Sequence, residues 1–387
     1  MHRGALVLKT ADIRQFLRPN AALGAVTALV TGTIFLVRGH GYRRLIWGDD
    51  ELLVEHAIHR QTPFGRLHFI DPFGILDPFA GYLIVILRLT TKFLLLWDTE
   101  TFPLRAYWLS SFIWTLIAVC IALLISGLTR PYLGFLAAMA MTIMPYSNLV
   151  MLAQVNTIYM PAVLAMIIAV VTRRYPQSKG FQIVVCVAFA LVTLTSITTI
   201  VVFGYLISLV FFRRHDVQLI ERRLIWVMGL ALVLQLISYQ PRGRMISPSS
   251  FLHEFLLSSN AFAPQFVREK ILEPKSAIEN IILYGIPILL SITVFVLVRL
   301  GNRSECRSQI NIAQHFFLIA ILLLCMLIIG NGWLNSHYLF IPTGLFWIGV
   351  ILVSDATGNS TFRYRMLPIT VVLAIFILHL SGTYFVI

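Results

Sequence analysis

Asp49, Asp50 and Glu51 stand in a row, in a chain of which only 12% is charged. They follow an apolar run and the stretch Gly-His-Gly-Tyr-Arg-Arg-Leu-Ile-Trp-Gly. Three adjacent carboxylates can do proton chemistry. One takes a proton from an acceptor hydroxyl while its neighbours orient that acceptor. Acids left unpaired beside a membrane are costly, so a cluster there marks a site. The plainer reading is a helix start: Gly48 breaks the chain, Asp49 caps, and Asp50 and Glu51 sit at the positive end of the dipole. Three acids in succession exceed what a cap needs. From Leu52 onward Leu52, Leu53, Ala57 and Ile58 share one face, and Glu55, His56, His59 and Arg60 the other. That pattern is an interfacial amphipathic helix. Glu55 and His59 have the spacing of half a metal site, but they read first as its polar face.

The elements that must hold this cluster are membrane helices. The chain is 58% hydrophobic with a mean hydropathy of +0.84, and apolar windows recur from Ala21 onward. The expected fold is an all-α polytopic membrane protein, a single transmembrane domain over 1–387. The first span is expected to stay as an anchor, since no small-residue cleavage site follows it. Cys120, Cys186, Cys306 and Cys325 show neither metal spacing nor a disulfide framework. The net charge of +13 is spread over loops and signals orientation and anionic headgroups, not nucleic acid.

Orientation follows from Lys and Arg. The N-terminus carries Arg3, Lys9, Arg14 and Arg18, and short basic loops recur at 173–179, 213–223, 299–307 and 363–365. All are expected in the cytoplasm. That requirement decides segment 78–97, which is apolar but holds Arg88 and Lys92. It is read as an interfacial amphipathic helix that does not cross. The spans are then 21–37, 107–128, 132–151, 157–171, 181–194, 198–212, 224–239, 277–298, 312–330, 338–353 and 366–385. That makes about eleven, with the C-terminus outside. The apolar run 181–212 has basic flanks on both sides, so it must cross twice, turning near 195–199. Outer loops 40–106 and 240–276 form the expected active-site face. No internal repeat is evident, which counts against an inverted-repeat transporter.

A sugar carried on a polyprenyl phosphate suits one acidic cluster. Its leaving group is already acidic, so transfer needs a base for the acceptor hydroxyl and cations for the departing phosphate. Cations in the same compartment are Arg43, Arg44, Arg66, Arg242, Arg244 and His337; Arg242, Arg244, His337 and Arg44 are the expected phosphate ligands. Asp71 and Asp77 flank prolines, where they contact a sugar hydroxyl or cap turns. Trp47, Phe64, Phe69, Phe73 and Tyr82 stack on sugar or isoprenoid, or serve as interfacial aromatics. No metal ligand set is assigned, and a divalent metal cofactor stays open. A nucleotide-sugar enzyme would carry a cytoplasmic nucleotide-binding domain, and none is evident.

The layout resembles the GT-C superfamily of polyprenyl-phosphate-sugar glycosyltransferases, which includes the lipid A aminoarabinose transferases and protein mannosyltransferases. Asp50-Glu51 match the acidic motif of the first outer loop. Asp77-Pro78-Phe79-Ala80-Gly81-Tyr82-Leu83 resembles the juxtamembrane helix that follows. Pro103-Leu104-Arg105-Ala106 is similar to the Arg-led entry of the second span, and His337-Tyr338-Leu339-Phe340-Ile341-Pro342 to a late His/Arg-Tyr-Leu-Pro pattern. The resemblance implies a GT-C-like fold with juxtamembrane helices in the first outer loop. It also implies the catalytic class, with Asp50-Glu51 in the acidic motif and Asp49 an extra neighbour; the candidate site residues are then Asp50, Asp49 and Glu51 for catalysis and Asp71, Asp77, Tyr82 and Tyr338 for substrate. The chain departs from the family in its second outer loop, where Gln154, Asn156 and Thr157 stand in place of an Asp. The expected activity is inverting transfer from a polyprenyl-phosphate-linked sugar donor to a cell-envelope glycan or glycolipid, at the periplasmic face of a bacterial inner membrane. Two rivals remain. One is an O-antigen polymerase or membrane acyltransferase; a polymerase would use basic outer loops, as in 240–276. A flippase or transporter would need ionisable groups deep inside spans.

Overall fold

In the computed structural model the described residues are 10–39, 53–55, 57, 83–96, 98–142, 158–212, 216–238, 248–251, 255, 307–331 and 340–358. Among them the secondary structure is helical, without strands. Helix α1 spans Thr10–Gly39, α2 Val85–Leu95, α3 Phe102–Ser126, α4 Pro131–Thr142 and α5 Tyr159–Thr172. Helix α6 spans Lys179–Thr193, α7 Ile200–Phe212, α8 Leu219–Ser238, α9 Arg307–Asn331 and α10 Phe340–Gly358. Two of these, α3 and the Ser308–Ile329 stretch of α9, are long and apolar enough to cross a membrane; the other apolar helices are shorter. The expected spans 277–298 and 366–385 lie outside the described residues.

Helix directions follow from a few contacts. Tyr107 Oη donates to Leu36 O at 2.7 Å, and Gly32 faces Thr115, so α1 and α3 are antiparallel. Gly134 in α4 meets Ala122 and Ser126 near the end of α3; a Cβ there would sit 2.2 Å from Ala122 O. Only glycine permits that approach. Arg223 Nη1 donates to Gln182 Oε1 at 3.4 Å, and Gln235 Nε2 to Thr193 O at 3.1 Å. Helices α6 and α8 therefore run parallel, start beside start and end beside end. Helix α7 returns along α8, with the ring of Phe203 beside Gly229. The apolar run thus folds back on itself through a 3₁₀ turn at Ile197–Thr199, at the position read from its basic flanks.

Helix α2 corrects one expectation. It has eleven residues, about 16 Å at helical rise, roughly half of an apolar bilayer core. Helices α4, α5 and α7, at 12, 14 and 13 residues, are similarly short. The buried face of α2, however, is mixed: Val85, Leu87 and Leu94 are buried together with two polar residues. Arg88 and Thr91 are buried, while Leu89, Phe93 and Leu96 are exposed at 40%, 52% and 74%. Leu89, Phe93 and Leu96 fall on one helical stripe.

The start of α2 is held by the end of the α6–α7–α8 unit. Leu83 N–H donates to Gln235 Oε1 at 2.9 Å. Gln235 Nε2 donates to Leu83 O and to Thr193 O, both at 3.1 Å. Val85 N–H reaches Leu194 O at 3.3 Å, and Ile86 N–H reaches Thr195 Oγ1 at 3.0 Å. Gln235 is fully buried, so its loss strands a backbone donor and two acceptors. Gln235→Leu is expected to destabilise the protein by about 3 kcal/mol. Leu236→Ala, on the exposed neighbouring position, should change stability by less than about 0.5 kcal/mol. Thermal unfolding in detergent distinguishes them; equal melting temperatures would remove Gln235 from its central role.

Candidate functional site

The contacts sort the helix ends into two groups. One end, called lower here, gathers the end of α3, the start of α4, the end of α5 and the starts of α6 and α8. Its charges are mostly basic: Arg130, Arg173, Arg174, Lys179, Arg222 and Arg223, against Asp216 and Glu221. Arg173 Nε donates to Glu221 Oε1 at 2.7 Å and Arg173 Nη2 to Glu221 Oε2 at 2.8 Å, a bidentate pair. The same carboxylate accepts Gln218 N–H at 2.8 Å. Arg173 has φ 54°, a left-handed helix cap that a non-glycine residue rarely adopts. The bond to Glu221 holds its guanidinium above the usual range. Arg174 lies over Gly127, where a Cβ would overlap the guanidinium; it covers the negative end of α3.

The upper end gathers the end of α1, both ends of α2, the start of α3, the α6–α7 turn and the end of α8. Here the described charged positions are Arg38, Arg88, Lys92, Asp98, Glu100 and Arg105. Thr101 N–H and Oγ1 donate to Asp98 Oδ1 at 2.6 and 2.7 Å, and these bonds hold the exposed Asp98 carboxyl below the usual range. Arg105 Nη2 lies 3.5 Å from Asp98 Oδ1. The hydroxyls of Thr91, Thr193 and Ser238 are buried and make no hydrogen bond. Ring contacts link Phe35, near the end of α1, to Trp114 at 5.5 Å, and Trp114 to Phe340 at 5.1 Å.

The residues singled out from the sequence lie outside the described residues: Asp49, Asp50, Glu51, Arg43, Arg44, Arg66, Asp71, Asp77, Tyr82, Arg242, Arg244, His337 and Tyr338, with Gln154, Asn156, Thr157, His56 and His59. The structure therefore neither brings them together nor separates them. Their nearest described neighbours are informative. Tyr82 precedes Leu83, which is bonded to Gln235. Ser238, four residues before Arg242, ends α8 at the upper end. Tyr338 stands two residues before Phe340, which packs on Trp114. Gly39 ends α1 at the upper end, and Leu53 and Val54 are buried in the core that contains Phe35, Trp114 and Phe340. Glu55 is exposed, and among the described residues no group of three His, Cys, Asp or Glu could hold a metal ion.

One charged residue was read from the sequence only as a topology signal. Arg88 is 4% exposed, on the inner face of α2 near the upper end. The signal that could have found it is its spacing: Arg88 and Thr91 fall three residues apart on one side of α2, off the Leu89, Phe93, Leu96 stripe. Which face turns inward is not written in the segment itself. A guanidinium this deep requires counter-charge or acceptors. No protein-family model matches the chain, and no curated protein or solved structure matches it.

The facing of α2 makes a paired prediction. Arg88→Met should lower stability in detergent by about 3 kcal/mol, because it strands the groups that the guanidinium satisfies. Leu89→Ala, one residue along but on the outward face, should cost less than about 0.5 kcal/mol. A larger loss for Leu89→Ala than for Arg88→Met, read by thermal unfolding, would mean that α2 is turned the other way.

Proposed function

We propose that this chain is a multi-pass membrane glycosyltransferase of the GT-C type, with about eleven spans, acting at the face opposite its basic loops. Asp50 takes the proton from the acceptor hydroxyl. The freed oxygen attacks the anomeric carbon of a polyprenyl-phosphate-linked sugar, and the carbon–oxygen bond to phosphate breaks with inversion. The phosphate leaves with the bond's electron pair and is held by Arg242, Arg244, His337 or Arg44. Asp49 and Glu51 orient the acceptor, and Asp71, Asp77, Tyr82 and Tyr338 contact the sugar or lipid. The acceptor is a cell-envelope glycan or glycolipid.

The observation that carries this reading is the segregation of the two ends. The helix ends flanking Asp50, Tyr82 and Arg242 gather at one end, and the described basic turns gather at the other. The positive-inside rule then puts the basic end in the cytoplasm and the candidate residues outside. Outward-facing apolar side chains support a lipid surround: Trp226, Leu230, Val233 and Ile237 on α8, and Trp108, Phe112 and Leu116 on α3 are exposed. A soluble protein rarely leaves such stripes uncovered.

Two measurements test it. In a cysteine-free background, Thr99→Cys at the exposed upper turn should react with a membrane-impermeant maleimide added outside. Ser178→Cys at the exposed lower turn should react only after permeabilisation; the reverse pattern inverts the orientation. Asp50→Asn should lower sugar transfer from a polyprenyl-phosphate donor by about 10²–10⁴-fold while the protein stays folded in the membrane. Near-normal turnover in both Asp50→Asn and Asp49→Asn would sink the mechanism.

A further inference from the structure

Helices α6 and α8 begin side by side at the lower end, and a groove of about 260 Å³ runs between them. Ile183, Cys186 and Val187 of α6 and Val227 of α8 line it, with Gln182 and Arg223 at its lower end. It reaches Leu191, about 13 Å beyond Gln182 at helical rise. Ile183 and Val187 are exposed at 62% and 53%, so the groove lies open to the surround along its length. Three exposed cations gather at its polar end. Arg223 lines the groove, Arg222 adjoins it, and Lys179 stands one turn before Gln182 and Ile183. Arg223 Nη1 donates to Gln182 Oε1 at 3.4 Å, a neutral partner that leaves the guanidinium charge uncompensated. Among the described residues none of the three makes an ion pair. Glu221, the acid in the first turn of α8, is buried and holds Arg173 with both oxygens. Cations in the first turns of two helices face the positive ends of both dipoles, where charge of their own sign is least favoured. The arrangement calls for an anion from outside the chain.

We propose that this groove holds an anionic glycerophospholipid of the leaflet at the basic end. Its phosphate sits at Arg223, flanked by Arg222 and Lys179, and one acyl chain lies along Ile183, Val187 and Val227. Arg grips phosphate bidentately, and Lys adds a point charge. A basic pocket between membrane helices on the cytoplasmic side is the setting in which anionic headgroups are held. Trp226, 80% exposed one turn after Arg222 and Arg223, falls at the headgroup level, where Trp is enriched. Polar contacts at one end, with apolar contacts over about two further turns, match a lipid standing upright in its leaflet. A soluble anion would touch only the lower end. A zwitterionic lipid would bring its own cation to a site that already holds three. Retention of this lipid requires a membrane around the helices and is independent of sugar transfer.

The test titrates the full chain, in neutral detergent, with phosphatidylglycerol, phosphatidylcholine or glycerol phosphate. Bound lipid is counted by native mass spectrometry, and stability is read by thermal unfolding. The wild-type protein should retain phosphatidylglycerol and unfold at a higher temperature with it; phosphatidylcholine and glycerol phosphate should do neither. Arg223→Gln should weaken retention about tenfold. Val187→Trp fills the groove from an exposed position and should weaken it too. Val184→Trp, similarly exposed on α6 but off the groove, should bind like the wild type. The Val187 side chain makes no polar bond, so Val187→Trp keeps the test decisive if Arg223→Gln fails to fold. Equal retention of phosphatidylcholine would make the groove an ordinary lipid contact and overturn the proposal. Equal stabilisation by glycerol phosphate would leave an anion site without a lipid and overturn it as well, as would unchanged retention in both Arg223→Gln and Val187→Trp. Asp50→Asn should retain phosphatidylglycerol normally, so the lipid site and the enzyme reading fail separately.

Discussion

An apolar surround offers no hydrogen bonds, so every interruption of a helix must be met from inside the protein. The break between α6 and α7 frees the carbonyls of Thr193 and Leu194, and the start of α2 frees the N–H groups of Leu83, Val85 and Ile86. The two interruptions satisfy each other. Leu194 O and Thr195 Oγ1 accept from Val85 and Ile86. Gln235 bridges what remains, accepting from Leu83 N–H and donating to Leu83 O and Thr193 O. One amide side chain thus joins segments 152 positions apart in sequence. The rest of the upper end hangs on this junction: α2 can lie against α3 and α6 only because its first turn is bonded there.

The lower end is held by a different chemistry. Glu221 is almost wholly buried, while Arg173 keeps about a quarter of its side chain exposed. A charge pair with one partner near water loses less hydration than one sealed on both sides, and the bidentate geometry recovers the rest. The pair also explains a backbone oddity. The left-handed turn at Arg173 is unfavourable for a side chain with a Cβ, yet it aims the guanidinium at α8. Helix α5 is thereby fixed to α8 at one end, and α8 is fixed to α2 at the other. Helix α8 is the strut that transmits position from the basic end to the upper end.

Much of the helical framework was legible in the sequence because it depends on local apolar runs. The starts and ends of α5, α6, α7 and α9 fall within a few residues of the apolar windows. The fold-back at 195–199 was legible for a non-local reason, the basic residues on both flanks of an overlong run. Three features were not legible. Gln235 looks like one polar residue in an apolar helix, and its partners are far away in the chain. Glu221 reads as a loop charge, and only its burial against Arg173 shows it as a strut. Arg88 was visible as a charge, but the direction it faces depends on what surrounds α2. The acidic cluster and its expected phosphate ligands fall outside the described residues, so the chemistry proposed for them rests on sequence and on where their flanking helices end.

The facing of α2 has a physical reason. Turning Leu89, Phe93 and Leu96 outward would cost about 5 kcal/mol in water, at roughly 1.5–3 kcal/mol for each apolar side chain. Against hydrocarbon the same exposure costs nothing. Turning Arg88 outward would carry the opposite sign: it is free in water and costs about 3 kcal/mol in lipid. Both terms favour the observed facing only where the outside is apolar. Arg88 and Thr91 then turn to the interior of the upper end, among Val85, Leu87 and Leu94, where the buried hydroxyls of Thr193 and Ser238 also lie. That interior is otherwise apolar, built from Ile84, Leu87 and Leu94 of the α2 segment, as the lower halves of α3 and α5 are built from Ile121, Ile125, Ile167 and Val170.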